Sequence, residues 1–314
     1  MAMSEATPRR RPTLLDWGLL ALLGLIWGGA FLGVELSLDS LAPLQVSTAR
    51  IVLAALLLIA VAFLAGDGLP GFATPLQRRI WLHCLGMGLF TNAIPFTLLA
   101  WGQQLVTSGF AGITMAVVPL LVLPLSHFLI PGERMTMARL AGFGIGFAGV
   151  VLLIGGGRIF TGMSTDPVIM MAQLACVLAS CCYATGAIIT RLCPPVSTTS
   201  FAAAGLLCAS IVLIPITLMT DDIPVSISPL ALAGTLYLAL LPTGLATILL
   251  TVIIKRAGPP FLSLVNYQVP VWAVIFGVAI LGEALPGHFI TALAVILAGL
   301  AISQFLGRKT SSPD

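Results

Sequence analysis

Residues 14–36 read LLDWGLLALLGLIWGGAFLGVEL, an apolar run interrupted by acid only at Asp16 near one end and Glu35 near the other. A helix rises about 1.5 Å per residue, so about 20 such residues cross the hydrocarbon of a bilayer. This run is long enough to span. Arg9, Arg10 and Arg11 precede it, which is also how an export signal begins. However, the length of the run and the apolar segments that follow make it the first of a series of spanning helices. The whole chain agrees: of 314 residues, 59% are hydrophobic and 8% charged, with mean hydropathy +1.11, against about 25% charged in soluble domains. That composition excludes a soluble globular enzyme. A formal net charge of +3, with the basic residues scattered, excludes a disordered tail and a nucleic-acid binder. The six cysteines lie in or beside apolar runs without metal-ligand spacing and read as small hydrophobes.

Cutting the chain at its charged, Pro/Gly-rich and Ser/Thr-rich breaks leaves ten such segments, approximately 14–36, 43–65, 79–100, 106–129, 138–155, 168–190, 199–219, 229–254, 260–281 and 286–306. Barrel strands are about 10 residues long and alternate apolar with polar, whereas these runs are continuous. The expected fold is an all-α integral membrane protein of ten transmembrane helices. Cytoplasmic loops are enriched in Lys and Arg. With the N-terminus inside, Arg9–Arg11, Arg78, Arg79, Arg134, Arg139, Arg191, Lys255, Arg256, Arg308 and Lys309 are cytoplasmic, twelve of the fourteen basic residues. Only Arg158 falls outside, among loops that hold Asp39, Asp166, Asp221 and Asp222. Both termini are thus expected in the cytoplasm, with residues 1–13 and 308–314 as tails.

The chain also resembles itself. Gly132-Glu133 recurs as Gly282-Glu283 and Ala148-Gly149 as Ala298-Gly299 at an offset of 150, and Pro119 recurs as Pro270 at 151. Two five-helix units follow, 14–157 and 158–307. An odd number of spans forces the second copy to enter from the opposite side, giving an inverted-topology repeat, a construction that places substrate near the midplane between halves.

Trp27-Gly28-Gly29-Ala30-Phe31, Pro43 followed by Arg50, and Leu281-Gly282-Glu283 after the Pro270 helix resemble the EamA family of the drug/metabolite transporter superfamily, and within it the YddG-type amino-acid exporters. The resemblance covers essentially the whole chain. It implies a ten-helix carrier of a bacterial-type inner membrane with a central cavity lined by both halves. In two places the chain departs from that pattern. Glu35 stands eight positions after Trp27, where the family often has a basic residue, and the first Gly-Glu follows Pro131 rather than Leu.

A proline inside a helix lacks its N–H donor and leaves the carbonyl four residues earlier free; in lipid such a break persists where protein or a watery cavity satisfies it. Pro119 should free Met115, Pro270 Asn266, Pro242 Leu238 and Pro95 Thr91. Paired breaks near mid-membrane make Pro119 and Pro270, with Pro242 and Pro95, candidate hinges, against the alternative of tolerated kinks. Asn266, Tyr267 and Gln268 form the densest polar group of the ninth segment, set either to line a site or to bond a neighbouring helix. Arg50 lies deep enough in the second span to need a partner. Glu35 is the favoured one, with a substrate-carboxylate contact or a gate as the alternative. Trp27, Trp101, Tyr183, Asn92 and His83 could furnish a pocket with aromatic walls and polar handles; Trp101 also suits an interfacial belt, and His83 a bonded interior histidine. The glycines of the first and fifth segments are expected to pack helices closely. Glu133 and Glu283 are expected to cap the helix that follows each.

These readings point to a secondary transporter that exports small organic solutes, chiefly amino acids, aromatic or hydrophobic ones included, or related metabolites, by alternating access at a central cavity. No phosphate-binding loop is present, and no cofactor is called for. An intramembrane enzyme is the rival, but it needs a nucleophile–base pair or metal set for which the sequence holds no H-E-x-x-H or G-x-S-x-G motif. A channel-like facilitator is the other rival. Proton coupling, for which Glu35 is the one carboxylate placed within a span, and uniport both stay open.

Overall fold

The computed structural model describes residues 12–155 and 166–306. Arg9–Arg11, Arg158, Arg308 and Lys309, on which part of the sidedness argument rests, lie outside those residues, as does the division at 157/158. Ten helices long and apolar enough to cross a membrane make up the described chain: α1 Leu14–Ser37, α2 Pro43–Leu64, α3 Pro75–Gln103, α4 Ser108–Leu129, α5 Met137–Gly155, α6 Pro167–Leu192, α7 Thr198–Thr220, α8 Pro229–Ala257, α9 Pro259–Ala279 and α10 Gly287–Leu306.

Local chemistry sets their starts. Five of the ten open on proline, whose missing N–H is no loss in a first turn. Thr13, Thr74, Thr107, Asp166, Ser197 and Ser228 each accept from a backbone N–H of the turn they precede, as N-caps do. Four helices change pitch on the way through, and α10 widens over its last residues, Ile302–Leu306. In α3 the chain widens at Gly88–Ala93, just before Pro95. In α8 it widens at Ala239–Leu245, around Pro242, and in α4 it tightens at Met115–Val117, ahead of Pro119. The Met115 carbonyl that Pro119 strands is taken by the Val118 N–H.

Pro270 behaves differently from expectation. It sits inside a continuous helical stretch, Val265–Ala279, and the interruption of α9 comes at Ser263–Leu264 instead. There the Asn266 and Tyr267 amides reach back three residues, to Ser263 and Leu264. The ring still withholds the N–H that the Asn266 carbonyl would take, but the helix runs on through it.

Helix α5 packs on α10, α2 on α7 and α4 on α9; α1 lies against α8 and α9, α6 against α3 and α4, and α3 and α8 also touch α7 and α2. This set of pairings is unchanged when each of the first five helices is exchanged with the helix five places later. Small residues permit the closest seams. A Cβ on Gly142 would stand 2.5 Å from the Gly299 carbonyl oxygen, one on Gly149 2.6 Å from Ile296, and one on Gly28 2.3 Å from the Trp272 Cβ. Gly144 meets nothing within 4 Å. All six cysteines are free thiols.

Neither repeated glutamate caps the helix after it. Glu283 turns back across the bundle and accepts from the Ser108 and Gly109 N–H groups at the start of α4, at 2.7 and 3.1 Å. Glu133 pairs with Arg191 at the end of α6. The offset of 151 that relates Pro119 to Pro270 maps Ser108 and Gly109 onto Pro259 and Pro260, which have no N–H to offer. Without donors at that end, Glu133 takes a cation.

Candidate functional site

A cavity of about 400 Å³ opens between the two sets of helices, lined from α1 to α4 on one side and α6 to α9 on the other. Helices α5 and α10 contribute nothing to its wall. On α3 the lining residues Asn92, Phe96, Leu99 and Gln103 fall at steps of four, three and four, one face of a helix. Most of the wall is apolar or aromatic.

Arg50 is the cation in this wall. It is 7% exposed, and its Nε donates to the Thr243 hydroxyl at 2.8 Å. Its guanidinium carbon lies 3.6 Å above the centre of the Phe96 ring, a cation–π contact worth about 2 kcal/mol when desolvated. Nε makes the only hydrogen bond of Arg50 among the described residues, so the terminal nitrogens carry no protein acceptor. The expected pairing with Glu35 does not form. Glu35 lies half-buried at the Ser37 end of α1, while the Gln103 amide donates to the Phe31 carbonyl at 2.9 Å. Arg50 instead lies between α3 and α8, where the Phe96 face and the Thr243 hydroxyl meet the guanidinium without a second charge.

Pro242 builds that hydroxyl contact. Its ring strands the Leu238 carbonyl, as the sequence predicts, and the Thr243 hydroxyl donates to that carbonyl at 2.8 Å while accepting from Arg50. The Pro242 carbonyl accepts from the Trp27 indole N–H at 3.2 Å. One helix irregularity thus positions both the cation and an aromatic wall.

The EamA-like transporter family matches residues 16–155 and again residues 170–305. The chain belongs to that family. It is similar to the inner membrane transporter YedA of Escherichia coli K12, 28% identical over 94% of this chain and 92% of that protein. It also resembles the aromatic amino acid exporter YddG of Ancylobacter novellus, at 27% over 98% of this chain and 100% of that one. A probable terminal-alkyne amino-acid exporter of Streptantibioticus cattleyicolor is 26% identical over 92% and 94% of the two chains. A solved crystal structure, 22% identical, shares the fold with a TM-score of 0.66 over 94% of this chain and 98% of its own. With ten spanning helices and this family, the protein is an integral membrane transporter.

Of the residues singled out from the sequence, the EamA-like fold brings Trp27, Asn92, Tyr183, Asn266, Pro242 and Arg50 to the cavity. Tyr183 sets its ring 6.5 Å from Phe96. Asn92 is 7% exposed and donates to the Met87 sulfur at 3.4 Å, and Asn266 donates to the Ser263 carbonyl at 3.0 Å. The others lie elsewhere. Trp101 is off the Asn92–Gln103 face and outside the lining. His83 is bonded to the Arg79 carbonyl one turn back, below the depth at which the cavity begins. Tyr267 packs with the apolar cluster between the halves, and Gln268 lies against Gly24 of α1; successive residues of a helix point about 100° apart, so only Asn266 of the three faces inward. Pro95, Pro119, Pro270 and Glu35 are not in the wall, although Pro95 precedes Phe96 and Pro119 follows the lining residue Val118. Phe96, Thr243 and Gln103 escaped the sequence reading. A threonine ladder at four-residue spacing, Thr243, Thr247 and Thr251, runs down an otherwise apolar span and was the available signal for the second.

Proposed function

We propose that this EamA-like protein is a secondary transporter that exports amino acids with apolar or aromatic side chains, by alternating access at the cavity between its halves. The observation that carries the reading is Arg50: a buried guanidinium without a carboxylate partner among the described residues, at the wall of a cavity of about 400 Å³. A charge at membrane depth is expensive unless paired, and a substrate carboxylate supplies the pair, bound by the planar fork of terminal nitrogens. Phe96, Tyr183 and Trp27 then receive the side chain. The volume lies within the usual range for small-molecule pockets. Two relatives are named as amino-acid exporters, which supports the same substrate class.

The pitch changes in α3, α4, α8 and α9 border the cavity and supply the bending points of the proposed cycle, in which the halves rock about a fixed site. The two halves are read as an inverted repeat with both termini cytoplasmic. The exchange-invariant helix pairing supports the repeat, and the ion pairs Asp16–Arg256 and Glu133–Arg191 join helix ends that this arrangement puts on one side. The test is counterflow: purified protein in liposomes preloaded with unlabelled phenylalanine should accumulate labelled phenylalanine transiently. Flat traces across a panel of amino acids would refute the substrate class.

A further inference from the structure

Resting on that reading, the donors and acceptors of the cavity narrow the class of substrate it fits. The indole N–H of Trp27 is spent on the Pro242 carbonyl. Thr243 and Thr247 direct their hydroxyl hydrogens to the carbonyls of Leu238 and Thr243. The amide hydrogens used by Asn92 and Asn266 go to the Met87 sulfur and the Ser263 carbonyl. These neutral groups turn a donor each into the protein, and the two asparagines keep an amide oxygen and one further N–H apiece. The Thr91 and Tyr183 hydroxyls also line the cavity, and Arg50 is the one charged donor among the described residues of its wall.

Charge gives the same answer. Among the described residues that line the cavity none is Asp or Glu. Outside the wall, Glu283 is held by the α4 backbone and Asp16 by Arg256, while Glu35 follows the lining residue Val34 without entering the lining. The empty wall therefore carries one positive charge. A monocarboxylate brings the occupied cavity to zero, a zwitterionic amino acid leaves it at plus one with its ammonium facing only dipoles, and an organic cation raises it to plus two. In a low-dielectric site such differences dominate binding.

We infer that the group this cavity recognises is the substrate's carboxylate, that the amino group is dispensable, and that the ligand class is monocarboxylates with an apolar or aromatic body, of which amino acids are one case. Asn92, four residues before Phe96 and so one turn from the guanidinium on the same face of α3, offers its amide oxygen to an amino group when one is present.

Calorimetric titration of the purified protein with phenylalanine, 3-phenylpropionate and 2-phenylethylamine tests this, because the three share a ring and differ in charge. The acid is expected to bind at least as tightly as phenylalanine and the amine about a hundredfold more weakly, the scale of a buried charge left without its partner. Arg50→Gln should abolish the preference for acid over amine. An amine within tenfold of the acid, or phenylalanine more than tenfold tighter than the acid, overturns the inference. If none of the three binds, the inference also fails, and phenylalanine counterflow in the same preparation shows whether the amino-acid reading falls with it.

Discussion

Arg50 and Thr243 act as one unit. The hydroxyl bridges a guanidinium and a carbonyl that proline has deprived of its helical donor, so Thr243→Val would orphan both in a buried setting. An unsatisfied buried polar group costs about 1–3 kcal/mol, and more where a charge is involved. Thr243→Val is expected to lower the melting temperature of the detergent-solubilised protein, whereas Thr243→Ser should restore it. Arg50→Gln should be the severer change for function. It removes the cation proposed to meet the substrate carboxylate, and phenylalanine counterflow should fall by at least about tenfold, as loss of a charge-assisted contact implies. Wild-type rates in that variant would take the site away from Arg50. Neither partner of Arg50 follows from depth along the chain, because depth ranks Glu35 first while the cavity wall selects Phe96 and Thr243.

At the scale of helices, close seams and capped ends set stability. Gly142 and Gly144 are two residues apart on α5, yet one faces the Gly299 carbonyl and the other faces open space. Gly142→Ala should therefore destabilise by about 1–3 kcal/mol through overpacking, and Gly144→Ala should be neutral or slightly stabilising, since alanine favours helix by about 1 kcal/mol. Paired unfolding curves check this, and equal effects would contradict the seam. Glu283→Gln weakens two hydrogen bonds to the start of α4 by removing their charge, at a cost of about 1 kcal/mol. Glu133→Gln touches only a partly exposed ion pair and should cost less than Glu283→Gln. The repeat is readable from the sequence because Gly-Glu occurs twice. The asymmetry is not, because it depends on which helix end lies opposite each glutamate.

For the molecule as a whole, we propose uniport as the mode of the cycle, because the described cavity wall holds no carboxylate to carry a proton. A pH gradient imposed on liposomes without a substrate gradient is expected to drive no accumulation of phenylalanine. Concentrative uptake under that gradient would instead bring Glu35, next in the chain to the lining residue Val34, into the mechanism.

Ten spans are determined by composition alone, since long apolar runs have one way to satisfy their backbone in lipid. Where most helices start is likewise local, being set by prolines in first turns and by Ser, Thr and Asp caps. Which side chains meet in the cavity is a matter of tertiary structure. Trp101 and His83 share the residue types of Trp27 and Asn92 as aromatic and polar candidates, yet helix phase and depth turn them away from the cavity. Asn266 is separated from Tyr267 and Gln268 by rotation about one axis. Contacts such as Arg50 with Thr243 span nearly two hundred positions of chain, and only the packing of α2 on α8 brings them within 2.8 Å.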